Sequence, residues 1–506
     1  MQLHKGNRGT MRIGIDFGTS YSAAGALVDG QLELIRFGDD QQFRTTVYFP
    51  LTLPGAADFE LTPRLEAEAM ALVAGSRREQ NAAAARALAA RQLALAQPAN
   101  RRDDALALVP RVITRSDEEL RREAIKVVRR RWSSEQALLA VDAGADLQNA
   151  LYGDEAIDAY VASGSGHLVV SPKSMLGYRL HGSARKTLLG IATRILGHIR
   201  TTASEQLGTP VRSAVLGRPV QFRSSMGDAG GLQAVEILTD AAHAAGFAAV
   251  EFLEEPAAAA LGYHRDTPGQ RRTLVVDIGG GTTDVAVADV GGPAPAPRIL
   301  RSWGLPQGGT DVDIELSMRR FMPLFGKGGT PTAVHHFYEA AAVQDLQRQA
   351  SFKRADFSNV DAPYNARLAT LQELGNTIRL NRAVEASKIH LSGADSTHVD
   401  LDYVEPGLEA SVGRAALDEA AARFLSALGT LLATVGSELD RQPDVVYLTG
   451  GMSRAPYVQD AVAGRFPGAE AVLGSASLGV VSGLAIAAAA PVAAYSVPEP
   501  MGGSVA

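Results

Sequence analysis

The sequence predicts an α/β protein of two lobes, each built on one copy of a duplicated mixed-sheet core, facing each other across a cleft and carrying a helical insertion. Three observations lead there. Two segments far apart in the chain, "IGIDFGTSYS" (13–22) and "LVVDIGGGTTD" (274–284), share one pattern. Each runs an apolar strand into an Asp and then a turn of glycines and hydroxyl residues. The chain has 506 residues, more than one hydrophobic core usually organises, so at least two lobes are expected. Between about 60 and 140 the composition becomes Ala/Arg/Glu-rich and helical.

Residues 11–56 read as strands and turns. In the helical stretch that follows, Ser116 and Glu119 form a capping box, and the Arg129–Arg131 run reads as a solvated helix face. Mixed α/β character resumes at "HLVVSPKSMLGYRL" (167–180), and a helix is predicted over 229–245. "AAVEFLEEPAAAALGY" (248–263) passes from strand into an Ala-rich helix. After the triple glycine of 279–281, "TDVAVADV" alternates with the period of a strand, so the segment is a hairpin and not a βα unit. A P-loop is excluded because no Lys follows these glycines. Residues 311–390 read as mostly helical, "VVYLTGGMSR" (445–454) as mixed, and 476–490 as an Ala/Gly helix. The tail, 491–506, has turn chemistry without hydrophobic periodicity.

Composition narrows the function. Hydrophobic content of 46% and charged content of 21% are those of a soluble globular protein. The balance of 49 Lys+Arg against 55 Asp+Glu gives −6, so no electrostatic footprint for nucleic acid is present. Zero cysteines exclude disulfides and thiolate metal sites, and a reducing, cytoplasmic setting is expected. The first ten residues contain no apolar signal region, and Met11 offers an alternative start. Residues 478–497 lack charge but are mostly Ala and Gly with Pro491 inside, so a buried helix is expected and no membrane partner. His335 and His336 read as a loop or helix-surface pair without metal-site spacing.

Gly-rich turns free backbone N–H groups to converge on an anion. Each hairpin therefore offers N–H groups and hydroxyls to one polyphosphate. Each also offers one carboxylate, Asp16 or Asp277, to a hydrated Mg2+.

With these features in place, the chain resembles the DnaK-like seventy-kilodalton heat-shock chaperones of the actin/sugar-kinase/chaperone superfamily. Residues 13–22 and 275–284 are similar to the family's two phosphate motifs. "FLEEPAAAALGY" (252–263) resembles its connecting segment, and "VYLTGGMSRAP" (446–456) its adenosine motif. "AVEASKIHLS" (383–392) resembles the helix against adenine and ribose, and "QGGTDVD" (307–313) the Gly-Gly turn near the phosphates. The resemblance implies an actin-like ATPase fold, with ATP or ADP and Mg2+ as cofactors and slow hydrolysis. In catalysis it implies that Asp16 and Asp277 orient metal waters, with Glu255 beside them, and that Lys173 of "SPKSMLG" holds the attacking water. Thr19, Ser20 and Thr282 would donate hydroxyls to phosphate, and Gly18, Gly280, Gly281 and Gly309 would donate N–H groups. Tyr21, Gly279 and Gly308 complete that side, while Gly450, Gly451, Ser453 and Arg454 would flank the base and ribose opposite Glu385, Lys388 and Ser392. For Glu385 and Lys388, an ordinary i,i+3 helix pair is an equal reading.

Some positions depart from the family. Met452 stands where a small hydroxyl residue is usual, which bears on base selectivity, and Glu254 adds a like charge beside Glu255. The family's β-sandwich peptide clamp has no counterpart in the sequence as read, so the closest resemblance is to short, YegD-like putative chaperones. The expected division is lobe I at 11–267 plus 476–490, the insertion at 60–140 within it, lobe II at 268–475, and the tail. The expected function is an ATP-hydrolysing switch acting on an unidentified protein partner. A small-molecule kinase of the same superfamily and an actin-like filament scaffold are the alternatives.

Overall fold

The computed structural model describes residues 11–50, 59–98, 114–142, 149–163, 165–180, 182–475 and 478–489, with 102, 106 and 109 in isolation. Its first strand, β1 (Met11–Phe17), alternates Ile13, Ile15 and Phe17 into the core, each at 0% exposure. The chain then turns through Gly18–Ser20 into β2 (Tyr21–Val28) and β3 (Gln31–Leu34). Short strands β4 (Phe43–Arg44) and β5 (Thr46–Phe49) follow, and β6 (Leu151–Tyr152) and β7 (His167–Val170) flank β5. With β8 (Val211–Arg218) and β9 (Ala249–Glu254), the first large sheet has the order β3-β2-β1-β8-β9, and β4 also pairs with β2.

The second sheet repeats this plan. Strands β10 (Arg271–Ile278), β11 (Thr283–Val290) and β12 (Arg298–Leu305) form a meander. After the β13 (Ser396–Asp400) and β14 (Glu409–Gly413) hairpin come β15 (Val445–Thr449) and β16 (Glu470–Leu473). The order is β12-β11-β10-β15-β16. Both sheets run antiparallel, antiparallel, parallel, parallel across that order. The duplicated mixed-sheet core expected from the two hairpins is therefore present. Each hairpin lies at the same topological place, with Asp16 near the end of β1 and Asp277 near the end of β10.

Two separate cores carry the sheets. One gathers Ile13, Ile15 and Phe17 with the helices Gly182–Gln206 and Asp228–Ala244. The other gathers Leu274, Val276 and Val285 with Phe321, Phe337, Val384 and Phe424. Helix Arg414–Glu438 is long and apolar enough to cross a membrane. Its Leu417, Ala421, Phe424, Leu428, Leu432 and Val435 form one stripe buried in this second core. The uncharged stretch from 478 becomes the nine-residue helix Gly479–Ala487, whose Val481, Leu484, Ala485 and Ala487 are fully buried, and residues 490–497 lie outside the described residues, as does the tail. That helix crosses Glu255–Arg265 backbone to backbone: a Cβ on Gly483 would stand 1.7 Å from the Ala258 carbonyl oxygen.

Residues 50–149 form a compact unit of their own, apart from the unit that holds both sheets. Its helices Pro63–Leu95 and Asp117–Asp142 pack through Leu65, Ala69 and Val73 against Leu120, Ala124 and Val128. Both triplets recur every four residues, which lines them along one helix face. The capping box forms: Ser116 N donates to Glu119 Oε2 at 2.8 Å and Glu119 N to Ser116 Oγ at 3.3 Å. Arg129 lies over the Phe59 ring at 5.2 Å, while the side chains of Arg130 and Arg131 lie outside the described residues.

Candidate functional site

The two Asp-bearing hairpins meet. A Cβ on Gly280 would stand 2.1 Å from Ser20 Oγ, and one on Gly281 would stand 2.5 Å from Thr19 Oγ1. Side chains on the second turn would press on hydroxyls of the first, so its glycines let the two hairpins approach closely. Behind them, Gly309 N donates to Gly279 O at 3.0 Å and Thr310 N to Gly280 O at 2.8 Å. The Gly309 N–H is thus already engaged, and this corrects its expected role as a phosphate donor.

A cavity of about 670 Å3 opens between these turns. Its wall brings together Asp16, Gly18, Thr19, Ser20 and Tyr21 with Lys173, Glu255, Asp277, Gly279, Gly280, Gly281 and Thr282. Gly309, Glu385, Lys388, Ser392, Gly450, Gly451 and Arg454 line the remainder. Two expected residues do not reach it. Gly308 packs beneath the second turn, where a Cβ would stand 2.6 Å from Gly279 O. Ser453 is 1% exposed and its hydroxyl lies buried behind the wall, because the short helical turn Gly451–Arg454 aims Met452 and Arg454 at the cavity instead.

At the closed end, Lys173 Nζ pairs with Glu255 Oε1 at 2.5 Å, both side chains being buried. Lys173 sits on a short helical turn after Ser171, which holds a left-handed backbone at φ 53°. Glu255 opens its helix directly after β9, beside Pro256. Around this one ammonium stand Asp16, Asp277 and Asp284 as well. Burial, then the Glu255 charge, pushes Asp16 up to about 7 and Asp284 up to about 8, and the same two causes raise Asp277 well above the carboxylate range. Burial opposes the charge on Lys173, but Glu255 and Asp16 hold its pKa above the ordinary value. Four carboxylates around one ammonium are an excess of buried negative charge with hard oxygen donors, which is the environment that a hydrated Mg2+ fits.

That excess predicts a pH dependence. The folded-state carboxyls are raised above the unfolded value of 3.8, so the stability they contribute is complete below that value and is lost as pH rises through 7 and 8. In chelator, the melting temperature should fall between pH 6 and 9, and Mg2+ should restore it at the alkaline end. A melting temperature in chelator that stays level or rises over that range would contradict the charge cluster.

Asp284, the second Asp of the glycine motif, joins the same buried cluster without a sequence signal for that place. It is 1% exposed, with Oδ1 accepting from Val220 N at 2.6 Å. Arg223 was also missed. Its Nε donates to Gly281 O at 2.7 Å and its guanidinium pairs with Asp311, so it links the 279–281 turn to the 308–311 turn. At the open end, Glu385 and Lys388 do not pair with each other. Lys388 Nζ donates to Asp313 Oδ2 at 2.9 Å, whereas Glu385 pairs with Arg44 Nη1 at 2.9 Å. Burial lifts Asp313 to about 6 even against the Lys388 charge. Arg44 also reaches Asp154 and the Tyr21 hydroxyl, and Arg382 reaches Asp154 and Asp158, so ion pairs bridge the two sheet-bearing halves beside the cavity. Ile389, 64% exposed, lines the cavity together with Arg454. The like charge of Glu254 is met by Arg218 Nη2 at 3.0 Å.

Comparison with known proteins adds a family to this geometry. Residues 173–373 match the family model described as Hsp70 protein. The Chaperone protein DnaK 1 of a Synechococcus species is 30% identical over 281 residues, covering 54% of this chain and 31% of the relative. The Chaperone protein DnaK of Thermoplasma volcanium is 28% identical over 281 residues, covering 53% and 38%. The Chaperone protein DnaK of Elusimicrobium minutum is 27% identical over 282 residues, covering 52% and 37%. The matched part spans only about a third of the length of these relatives.

Proposed function

We propose that the chain is a DnaK-like member of the Hsp70 family and works as a chaperone-type nucleotide switch that binds ATP and hydrolyses it slowly. The observation that carries this reading is the single cavity in which both Asp hairpins, the Lys173–Glu255 pair and the Gly450–Gly451 turn converge. Mg2+ would be held through water by Asp16, Asp277 and Glu255, and would supply charge neutralisation at the phosphates. The turns around Gly18, Gly280 and Gly281 position the phosphates, assisted by the hydroxyls of Thr19, Ser20 and Thr282. Met452, Arg454, Ile389 and Ser392 form the wall for base and ribose. Arg223 ties the Gly281 turn to the Gly308–Asp311 turn through its carbonyl and carboxylate contacts.

The two sheet-bearing halves are proposed as lobes, 11–267 with 476–490 and 268–475, which close on the nucleotide. Shear at the glycine-rich crossing of Glu255–Arg265 and Gly479–Ala487 would accompany closure. The partner is proposed to be a protein client, met through the unit at 50–149, in a cytoplasmic setting consistent with a chain that contains no cysteine.

Asp16→Asn and Asp277→Asn test this reading. Each should weaken Mg2+-dependent ATP binding or turnover on the order of a hundredfold, as loss of an electrostatic stabiliser does. Binding of ATP in chelator should change far less. Unchanged Mg2+-dependent turnover in both variants would remove the metal and phosphate assignment.

A further inference from the structure

Helix Val334–Ala341 lies outside the cavity and carries "VHHFYEAA". On it, one donor atom from each of His335, His336 and Glu339 lies within 4.8 Å of the others. Sequence spacing alone gave no metal pattern here, because adjacent residues on a helix point about 100° apart. The structure overcomes that spacing. The two imidazole rings lie 4.0 Å apart, and His336 Nδ1 already meets Glu339 Oε2 at 3.2 Å. His335 and Glu339 stand four residues apart, on the same face.

The platform beneath them is firm. Phe337, next along the helix after His336, is fully buried in the second core. Gln349 Nε2 donates to the carbonyls of Glu339 at 2.7 Å and Ala340 at 3.2 Å, and Gln349 is itself held by the Thr377 hydroxyl at 2.8 Å. The His336 ring is held edge-on against Phe357 at 5.4 Å. A site built on an anchored helix needs only small side-chain adjustments to close on an ion.

We propose that His335, His336 and Glu339 form a divalent transition-metal site that takes Zn2+, or a borderline ion such as Ni2+, through two imidazole nitrogens and one carboxylate oxygen. Bonds of about 2.0–2.2 Å would place the donors roughly 3.3–3.6 Å apart, and the pair at 3.2 Å needs to open only slightly. Two nitrogen donors select against Mg2+ and Ca2+, which prefer oxygen. Three protein ligands leave at least one position to water, because His335 is exposed. The ion would clamp the helix whose following segment carries Leu346 to the core of the first sheet. Binding should therefore raise the melting temperature and weaken in acid, where protons compete for imidazole.

The experiment is titration of the full chain with Zn2+ alone by calorimetry, with millimolar Mg2+ present to occupy the carboxylate cluster. Wild type should take up one saturable equivalent and melt at a higher temperature. His335→Ala and Glu339→Gln should each weaken that binding on the order of tenfold or more and abolish the thermal shift. Their circular dichroism should match wild type, since His335 is exposed and Glu339 anchors its helix by its backbone carbonyl. The chain has ten histidines and no cysteine, so unrelated thiolate sites cannot mask the result. An absence of saturable Zn2+ binding in wild type, or unchanged binding in both variants, overturns the proposal.

Discussion

Replacing Lys173 with alanine is expected to lower the rate of ATP hydrolysis on the order of a hundredfold or more while changing ATP affinity by less than about tenfold. Lys173 is the ammonium paired with Glu255 Oε1, and Asp16 and Asp284 also favour its charge. Phosphoryl transfer depends mainly on positioning and on charge stabilisation, and a fixed ammonium in a site shielded from water supplies both. Ground-state grip should survive, because the glycine turns and hydroxyls on the other walls remain. Removing one member of a buried pair also costs about 3–5 kcal/mol where the other stays charged. Here the neighbouring carboxyls already favour protons, so the stability loss should be smaller below pH 7 than above it. Lys173→Arg should not restore the rate, since a planar fork cannot occupy the place of a compact ammonium. Single-turnover kinetics with separately measured ATP affinity separates the two effects. A variant that loses binding but keeps its rate would make Lys173 a phosphate anchor and nothing more.

Gly483→Ala is expected to destabilise the fold by about 3 kcal/mol or more, at or beyond the upper end of overpacking costs. The added methyl would lie 1.7 Å from Ala258 O and 2.4 Å from Ala258 C. These are backbone atoms, so no rotamer change relieves the clash. The same helix is also held from the other side, where a Cβ on Gly14 would stand 2.2 Å from Leu484 C. Parting the helices would therefore strain the β1 contact as well. Gly190→Ala is the control: it lies inside helix Gly182–Gln206 with nothing within 4 Å of its Cβ position. It should be neutral or stabilise by up to about 1 kcal/mol through helix propensity. Thermal melts of the two variants decide the matter, and a Gly483→Ala protein that melts with wild type would show that the crossing is loose.

The sequence by itself determined the elements whose requirements are written in consecutive residues. An apolar run ending on Asp16 or Asp277, followed by a turn of glycine and hydroxyl residues, has few structures open to it other than a strand entering a bare turn. Both hairpins were legible for that reason, as were the β9-to-helix passage at Glu255 and the capping box at Ser116. Recurrence of the hairpin predicted two like sheets before any pairing was known.

What only the tertiary structure decided were contacts among groups far apart in the chain. Lys388 could be assigned to Glu385 from helix spacing, yet its partner is Asp313, and Glu385 reaches Arg44. Nothing local ranks those carboxylates, because an ion pair depends on where separate elements bring two long side chains. Arg223 gained its role only when the Gly281 and Asp311 turns came within its reach. Ser453 is off the cavity wall because the direction of a side chain on a short turn depends on the packing behind it, and Gly308 is off it because it packs beneath Gly279. The two histidines at 335 and 336 show the same limit: their spacing suggested no shared ligand, yet one donor atom from each and one from Glu339 lie within 4.8 Å of one another. Backbone conformation is decided mostly by near neighbours, whereas a side chain's partner is decided by the three-dimensional packing of distant ones.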